Sequence, residues 1–212
     1  MGSIKQGILG GFSGKVGSVI GSNWKGISYM RGIALNVKDA RSPKQLVQRG
    51  KFAFAVAFLK PMKSFIDVGF KSYAVQQTAM NAALSYTLKN AITGISPDFG
   101  IDYSKVRVSK GGLELPPKIQ MVNNEGEVAL SWNDNSGVGN ASDTDFAMPL
   151  VYNANKCTAI YDMVSSCRGD EGVGLSYPSD WVGDTVHVYL TFVSEDSSLV
   201  SDSVYVGEKV IE

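Results

Sequence analysis

Hydrophobic side chains change their spacing near Tyr103, and this change limits the folds that the chain can adopt. Beyond that point apolar and polar residues alternate, with Val106 and Val108 beside Lys105 and Arg107. Alternation of this kind is typical of half-buried β-strands. Strands are predicted at residues 118–122, 127–132, 146–152, 156–163, 185–193 and 201–206. Short strands at such spacing favour a β-sandwich.

Residues 1–34 combine frequent glycines with β-branched and aromatic side chains. The mixture is typical of short strands joined by tight turns. We predict a β-hairpin in which residues 22–26 turn between strands at 15–21 and 27–33. Glycine-rich strands specify their pairing register poorly. We therefore expect this segment to need a neighbour, from its own chain or from another copy.

Two helices are predicted in the centre of the chain. The first starts with serine as N-cap at Ser42, proline at the first helical position and glutamine two residues later. Residues 52–59 of this helix are apolar on every side, so we expect them to be covered on every side. Pro61 ends or kinks the helix.

The second helix is predicted at residues 73–92, where an apolar row and a polar row each repeat every four residues. Thr93-Gly94 is a suitable stop. Together these patterns predict an α+β, β-dominated protein. It has a glycine-rich β-hairpin at its N-terminus, two central helices and a C-terminal β-sandwich.

Charge is sorted between the two halves of the chain, although the formal net charge is zero. Residues 1–112 contain 16 Lys and Arg against 4 Asp and Glu, whereas residues 113–212 contain 4 against 16. This step predicts two domains, a basic region at 1–112 and an acidic sandwich at 113–212. Summed charge informs about partners more than about fold. The basic half suits either nucleic acid or the acidic half of another copy.

The C-terminal half resembles a fibronectin type III or immunoglobulin-like sandwich. The resemblance lies in the strand Glu-Val-Ala-Leu-Ser-Trp at 127–132, with its core tryptophan, and in the later strands at 150–152 and 186–193. It implies an architecture and no activity.

A second resemblance spans essentially the whole chain. It is carried by Gly-Phe-Ser-Gly-Lys-Val-Gly at 11–17, Asn-Trp-Lys-Gly at 23–26, and a helix with Gln-Leu at 45–46, Gln-Arg at 48–49 and Lys-Phe at 51–52. In these features the chain is similar to an uncharacterised bacterial and phage family. The resemblance implies a β-rich C-terminal half and supplies no activity. Related glycine-rich signatures are similar to phage-type structural proteins.

The sequence Gly-Phe-Ser-Gly-Lys at 11–15 only partly matches a phosphate-binding loop. Such a loop needs glycine at position 9, where Leu9 stands, and Ser or Thr at position 16, where Val16 stands. We therefore predict turn glycines here and no nucleotide cofactor.

Acid–base chemistry near neutral pH would have to use His187, the single histidine. We interpret His187 as a partly exposed sheet residue, and Cys157 and Cys167 as two free, mostly buried thiols. The acidic residues that raise the alternatives of a calcium site or paired catalytic carboxylates are Asp143, Asp145, Asp162, Asp170, Glu171, Asp180 and Asp184. They lack calcium-loop spacing, so we interpret them as solvated loop charges. No catalytic, cofactor or metal residues are predicted, and the chain is expected not to be an enzyme.

A basic stretch follows the glycine-rich segment. Its cations are Lys38, Arg41, Lys44, Arg49, Lys51, Lys60, Lys63 and Lys71. Clustered Lys and Arg with nearby Trp24 and Tyr29 suit nucleic acid. No known nucleic-acid-binding motif accompanies them.

A self-assembling structural subunit, such as a phage virion component, accounts for more of these features than the alternatives do. It gives the glycine-rich strands a partner, the apolar helix a cover and the opposite charges a complement. The partners expected are further copies of the chain or other proteins of a particle. A nucleic-acid-binding protein is the alternative, and a hydrolase is a remote one. The predicted interface residues are Trp24, Lys25, Tyr29, Arg31, Arg41, Lys44, Arg49, Lys51, Phe54 and Phe58.

No stretch reaches the roughly 18 apolar residues of a membrane span. The longest apolar run, residues 52–59, is far shorter. Glycines interrupt the only N-terminal stretch that resembles a signal peptide, so we expect a mature N-terminus. A location in the cytoplasm of the producing cell, or in a particle assembled there, is expected.

Overall fold

The computed structural model describes residues 2–4, 10–34, 39, 41–124 and 126–212, apart from the side chains of residues 123 and 124. Lys38 of the basic stretch lies outside the described residues. Internal contacts divide the chain into two units, Met1–Pro43 and Lys44–Glu212. The boundary does not coincide with the charge step at Gly112. The reason is that helices following Pro43 share a hydrophobic core with strands of the acidic half.

The first unit is an antiparallel sheet of strands β1 (Ser3–Ile4), β2 (Phe12–Val16), β3 (Val19–Trp24) and β4 (Ile27–Gly32), in that order. The predicted hairpin is confirmed as β3 and β4. The strand predicted at 15–21 is instead divided by a turn at Gly17-Ser18, between β2 and β3. Gly17 has φ +57°, a left-handed conformation that glycine adopts without steric penalty.

The second unit begins with three α-helices within its described residues: α1 (Pro43–Leu59), α2 (Lys63–Gly69) and α3 (Ala79–Asn90). Pro61 lies in a 3-10 turn that ends α1, and the chain then restarts as α2, which the sequence did not predict. The helix predicted at 73–92 begins later, because the Thr78 side chain caps it by accepting a hydrogen bond from the Asn81 backbone N–H at 3.1 Å.

The strands of the second unit are β5 (Ile92–Ile95), β6 (Asp98–Ile101), β7 (Gln120–Asn124), β8 (Glu127–Ser131), β9 (Phe146–Asn153), β10 (Thr158–Tyr161), β11 (Ser166–Cys167), β12 (Gly172–Ser176), β13 (Thr185–Val193) and β14 (Val204–Val210). β5 and β6 form a hairpin. The larger sheet has the order β10-β9-β13-β14, with β11 also paired to β9, and the smaller sheet has the order β12-β8-β7. The α+β, β-dominated fold is therefore confirmed.

The alternation at residues 105–108 does not mark a strand. Tyr103–Lys105 is a 3-10 turn, and residues 106–110 belong to no strand. Val106 and Val108 are nevertheless buried, because this segment crosses the core beside the helices. The Val108 N–H donates to the Ser203 hydroxyl at 3.0 Å in place of a strand neighbour.

The larger sheet is covered on both faces. Val151 of β9 and Val188 of β13 face the smaller sheet and pack with Trp132. Leu150 of β9 and Tyr189 of β13 face the opposite side, where the helices pack. The two sheets thus form a sandwich, and the helices add a third layer that the sequence did not place.

A buried ion pair fixes one end of the sandwich. The fully buried Arg168 guanidinium donates to Asp145 Oδ2 at 3.0 Å, to Asn135 Oδ1 at 2.7 Å and to the Glu114 carbonyl at 2.9 Å. Its Cζ lies 4.5 Å from the centre of the Phe192 ring. Asp145, interpreted from sequence as a solvated loop charge, is therefore a buried structural residue.

Replacing Asp145 with alanine should lower the free energy of unfolding by about 3–5 kcal/mol, because Arg168 would remain buried without its counter-charge. Asp143→Ala, two residues away and exposed, should change it by less than about 0.5 kcal/mol. Urea unfolding followed by tryptophan fluorescence measures both values. Equal losses for the two variants would contradict the structural role of Asp145.

Candidate interaction surfaces

The β3–β4 hairpin is closed by a two-residue turn, Lys25-Gly26. Both residues have positive φ, +48° and +85°, as the hairpin turn that matches strand twist requires. Asn23 supports the turn, since its Oδ1 accepts from the Gly26 N–H at 3.2 Å and its Nδ2 donates to the Ser28 hydroxyl at 3.1 Å. The turn residues from which the hairpin was predicted thus fix the register of β3 and β4.

That register places three of the predicted interface residues on one face of the first unit. Trp24 pairs with Ile27 and Ser22 pairs with Tyr29, so these residues share a face with Arg31. Trp24 and Tyr29 are 44% and 45% exposed. Lys15, which pairs with Ile20, lies on the same face. We call this face, with Trp24, Ile27, Tyr29, Arg31 and Lys15, the aromatic–basic face.

Lys25 extends the aromatic–basic face at its turn. Its Nζ lies 5.7 Å from the centre of the Trp24 ring, within the range of a cation–π contact.

The opposite face of the same sheet has its own packing. A Cβ at Gly21 would overlap the carbonyl oxygen and the ring of Phe12, so the ring lies directly over this glycine. Met30 of β4 shares this face and is 71% exposed. All six residues of β4 are exposed. β4 therefore presents apolar atoms on both of its faces.

The helix residues Lys44, Arg49 and Lys51 lie on the N-terminal half of α1, in the second unit. Residues 44–50 are exposed throughout, and so is the apolar ring of Phe52. The expectation that the apolar part of this helix is covered on every side is wrong. Ala55, Phe58 and Leu59 are buried, and the remaining side faces outward.

Phe54 and Phe58 do not lie at an exposed interface. Phe58 is buried in its own core, with its ring centre 4.9 Å from that of Tyr152 in an edge contact. Phe54 is half-buried and packs against Phe99 at 6.1 Å. The exposed interface predicted at these two residues is corrected, because Phe58 is covered by β9 of the sandwich and Phe54 is partly covered by β6 of the hairpin.

Several cations of the basic stretch contact acceptors within their own unit. Arg41 Nε lies 3.3 Å from Asp39 Oδ2 in the first unit. In the second unit Lys63 pairs with Asp67, and Lys71 donates to the Ser197 carbonyl at 2.9 Å. The structure places Trp24, Lys25, Tyr29 and Arg31 together, and the other predicted residues belong to different surroundings.

His187 is buried in β13, rather than partly exposed. Its ring stacks on Tyr103 with centres 3.6 Å apart, and its Nδ1 lies 3.0 Å from the Tyr205 hydroxyl. Burial lowers the pKa of His187 below its ordinary value of 6.5, and the Glu208 charge partly opposes that shift. These contacts give the imidazole a packing role within the sheet.

The two cysteines are free, but they are less buried than predicted. Cys157 is exposed and Cys167 is half-buried. Among the described residues, no group of three or more His, Cys, Asp or Glu side chains could hold a metal ion.

Sequence reasoning missed a pair of adjoining clefts beside α3, of about 210 and 340 Å³, which share Tyr86 and Asn90. Lys110 Nζ lies 4.5 Å from the Tyr73 ring centre, and Arg107 Cζ lies 5.4 Å from that of Tyr86. These residues are scattered along the chain, so their grouping left no local sequence signal.

The fold and these surfaces define a β-dominated α+β protein with an open N-terminal sheet and a helix-backed sandwich. The chain belongs to the Family of unknown function (DUF6266), whose sequence model matches residues 11–207. The resemblance to an uncharacterised family is thereby confirmed. No curated protein and no solved structure matches the chain. None of the described helices has the length and apolar character needed to cross a membrane.

Stability should fall as the pH is lowered from about 7 to 5. The folded state holds His187 below its ordinary pKa of 6.5, so the unfolded state binds more protons in this range. The stabilisation by neutral His187 is complete above pH 6.5 and is lost on acidification. Because the chain has one histidine, His187→Gln should flatten this dependence. The unfolding midpoint at each pH measures it, and an unchanged slope in the variant would refute the assignment.

Proposed function

We propose that the protein is a non-enzymatic structural subunit that assembles through its N-terminal unit into a larger particle, of the kind that phage virions represent. The supporting observation is β4, whose six residues are all exposed. A sheet normally buries one face against another layer. Exposed apolar patches on a folded protein mark interaction surfaces. The cytoplasm of the producer, or the particle itself, is the matching location.

The charges of the two units support association between copies. Residues 1–43 contain six Lys and Arg against one Asp, so the first unit is basic. The rest of the chain contains 14 Lys and Arg against 19 Asp and Glu, so the second unit is acidic. Opposite net charges attract neighbouring copies and orient their encounter. Asp145 takes no part, because it is buried and paired with Arg168. The exposed acids Asp143, Glu195 and Asp196 remain available.

Removing the two aromatic side chains of the aromatic–basic face should weaken association. We expect Trp24→Ser with Tyr29→Ser to raise the dissociation constant of the assembly at least about tenfold, because buried aromatic residues dominate protein interfaces. The matched control is Val164→Ser with Val182→Ser, which removes two exposed apolar side chains from the second unit. Light scattering over a concentration series measures the mass of each protein.

A wild-type chain that remains monomeric at high concentration would overturn the proposal. So would an equal loss of association in the control, since the effect would then not belong to the first unit.

Nucleic-acid binding is a second candidate, favoured by the combination of Lys15, Lys25 and Arg31 with two exposed aromatic rings on one sheet. Single-stranded nucleic acid is bound by such sets of cations and stacking platforms. Trp24 and Tyr29 would then stack on bases rather than on a neighbouring subunit.

Neutralising acids of the second unit separates the two candidates. Asp143→Asn, Glu195→Gln and Asp196→Asn together should weaken self-association at low salt, since each exposed ion pair contributes about 0–1 kcal/mol. For nucleic acid the same changes remove repulsion and should tighten binding or leave it unchanged. Light scattering measures the first effect, and fluorescence anisotropy with a labelled single strand measures the second. Submicromolar binding of that strand at physiological salt, strengthened by the triple change, would favour the second candidate.

A further inference from the structure

The open edge of β4 has a defined pattern of backbone groups. The Ile33 N–H donates to the Ser18 carbonyl at 2.8 Å, and this pair continues the register of β3 and β4. In an antiparallel ladder, hydrogen-bonded and non-hydrogen-bonded pairs alternate. Odd-numbered residues of β4 therefore bond to β3. The backbone N–H and C=O groups of Ser28, Met30 and Gly32 point outward, away from the sheet.

This edge lacks the features that normally prevent strand addition. β4 contains no proline, and its register with β3 runs without a bulge from Gly32 to Ile27. Arg31 is its single charged residue. Exposed edges without such protection pair readily with another strand.

We propose that two copies of the chain pair through β4 in antiparallel orientation, with Met30 of one copy opposite Met30 of the other. This inference rests on the proposed function and specifies its first contact. Ser28 then lies opposite Gly32 of the second copy, and each of these pairs exchanges two N–H···O bonds. The two sheets become one sheet that is continuous across a twofold axis.

The choice of register follows from the side chains. Moving each strand by one residue toward Gly32 would put Arg31 opposite Arg31 of the other copy, and like charges directly opposite are destabilising. The Met30 register instead puts Arg31 opposite Tyr29 of the second copy, on the aromatic–basic face. A guanidinium beside an aromatic ring is a favourable pair.

A second copy suits this edge because self-pairing about Met30 brings an Arg31 guanidinium opposite a Tyr29 ring twice, once on each side of the twofold axis. A twofold interface requires that residue i meets residue j and that residue j meets residue i. The Ser28–Gly32 and Tyr29–Arg31 pairs satisfy this condition around Met30. A Cβ at Gly32 would meet nothing within 4 Å, so the face of the sheet is open at this residue.

Cysteine cross-linking tests the register. In a background with Cys157→Ser and Cys167→Ser, Met30→Cys should give a disulfide-linked dimer on mild oxidation. Opposite residues of a hydrogen-bonded pair are about 5.5 Å apart at Cα, within the range of a disulfide. Ser28→Cys is the matched control, since the two copies of this residue are offset by four positions, about 13 Å along the strand. A mixture of Ser28→Cys and Gly32→Cys chains should cross-link with each other.

A change in the backbone tests the hydrogen bonds. Met30→Pro removes an outward N–H that β3 does not use, so the first sheet should remain while pairing is lost. Met30→Lys places two ammonium groups opposite each other and should raise the dimer dissociation constant at least about tenfold. Met30→Val is the control that keeps the N–H and should stay dimeric. Circular dichroism confirms that each variant is folded.

The outcomes separate this inference from the proposed function. We expect Met30→Pro and Met30→Lys to lose association. Of the chains with a single introduced cysteine, we expect Met30→Cys alone to form a cross-linked dimer. An assembly that persists in both variants, with no Met30→Cys dimer, would overturn the edge pairing and leave assembly by another surface. A monomeric wild type would overturn both.

Discussion

The second unit depends on a pair of neighbouring strands that are buried on both faces. β9 and β13 lie at the centre of the larger sheet, and nearly every residue of each is buried. Apolar side chains on both faces require two separate layers, which the helices and the smaller sheet provide. The polar groups in these strands are satisfied within the chain, as in Thr191 Oγ1, 2.8 Å from Ser109 Oγ. The apolar side chains that remain exposed in this unit, such as Phe52, Val75 and Ile95, lie outside these two strands.

The first unit, in contrast, buries few of its side chains. Its sheet has Phe12 packed over Gly21 on one face, but β4 is exposed on both faces and along its edge. A small sheet with so little burial gains little from the hydrophobic effect by itself. Association through this sheet, as proposed above, would bury part of the surface that the first unit leaves exposed.

The sequence predicted those features that depend on neighbouring residues and missed those that depend on distant ones. The turn at Lys25-Gly26 and the helix start at Pro43 are local, since a few adjacent residues fix the backbone. The burial of Phe58 depends on Tyr152, far along the chain, and the burial of Asp145 depends on Arg168. Among the predicted interface residues, the grouping of Trp24, Lys25, Tyr29 and Arg31 on the β3–β4 hairpin was predictable for the same local reason. The helical residues of that prediction were not, because packing decides which side of α1 is covered.

The charge step along the sequence does not separate the two units of the folded protein. The step at Gly112 falls inside the second unit, so that unit has a basic helical part and an acidic sandwich. Attraction between such parts of different copies acts over about 10 Å at 0.1 M salt and weakens as salt is added. Backbone pairing at β4 acts only at contact and does not depend on unit charges. In an assembly that used both, strand pairing would join two first units, and charge attraction would act between the basic and acidic parts of neighbouring copies. Two first units carry the same sign of charge, six cations against one anion each, so added salt should ease the approach of two β4 edges while it weakens the attraction between basic and acidic parts.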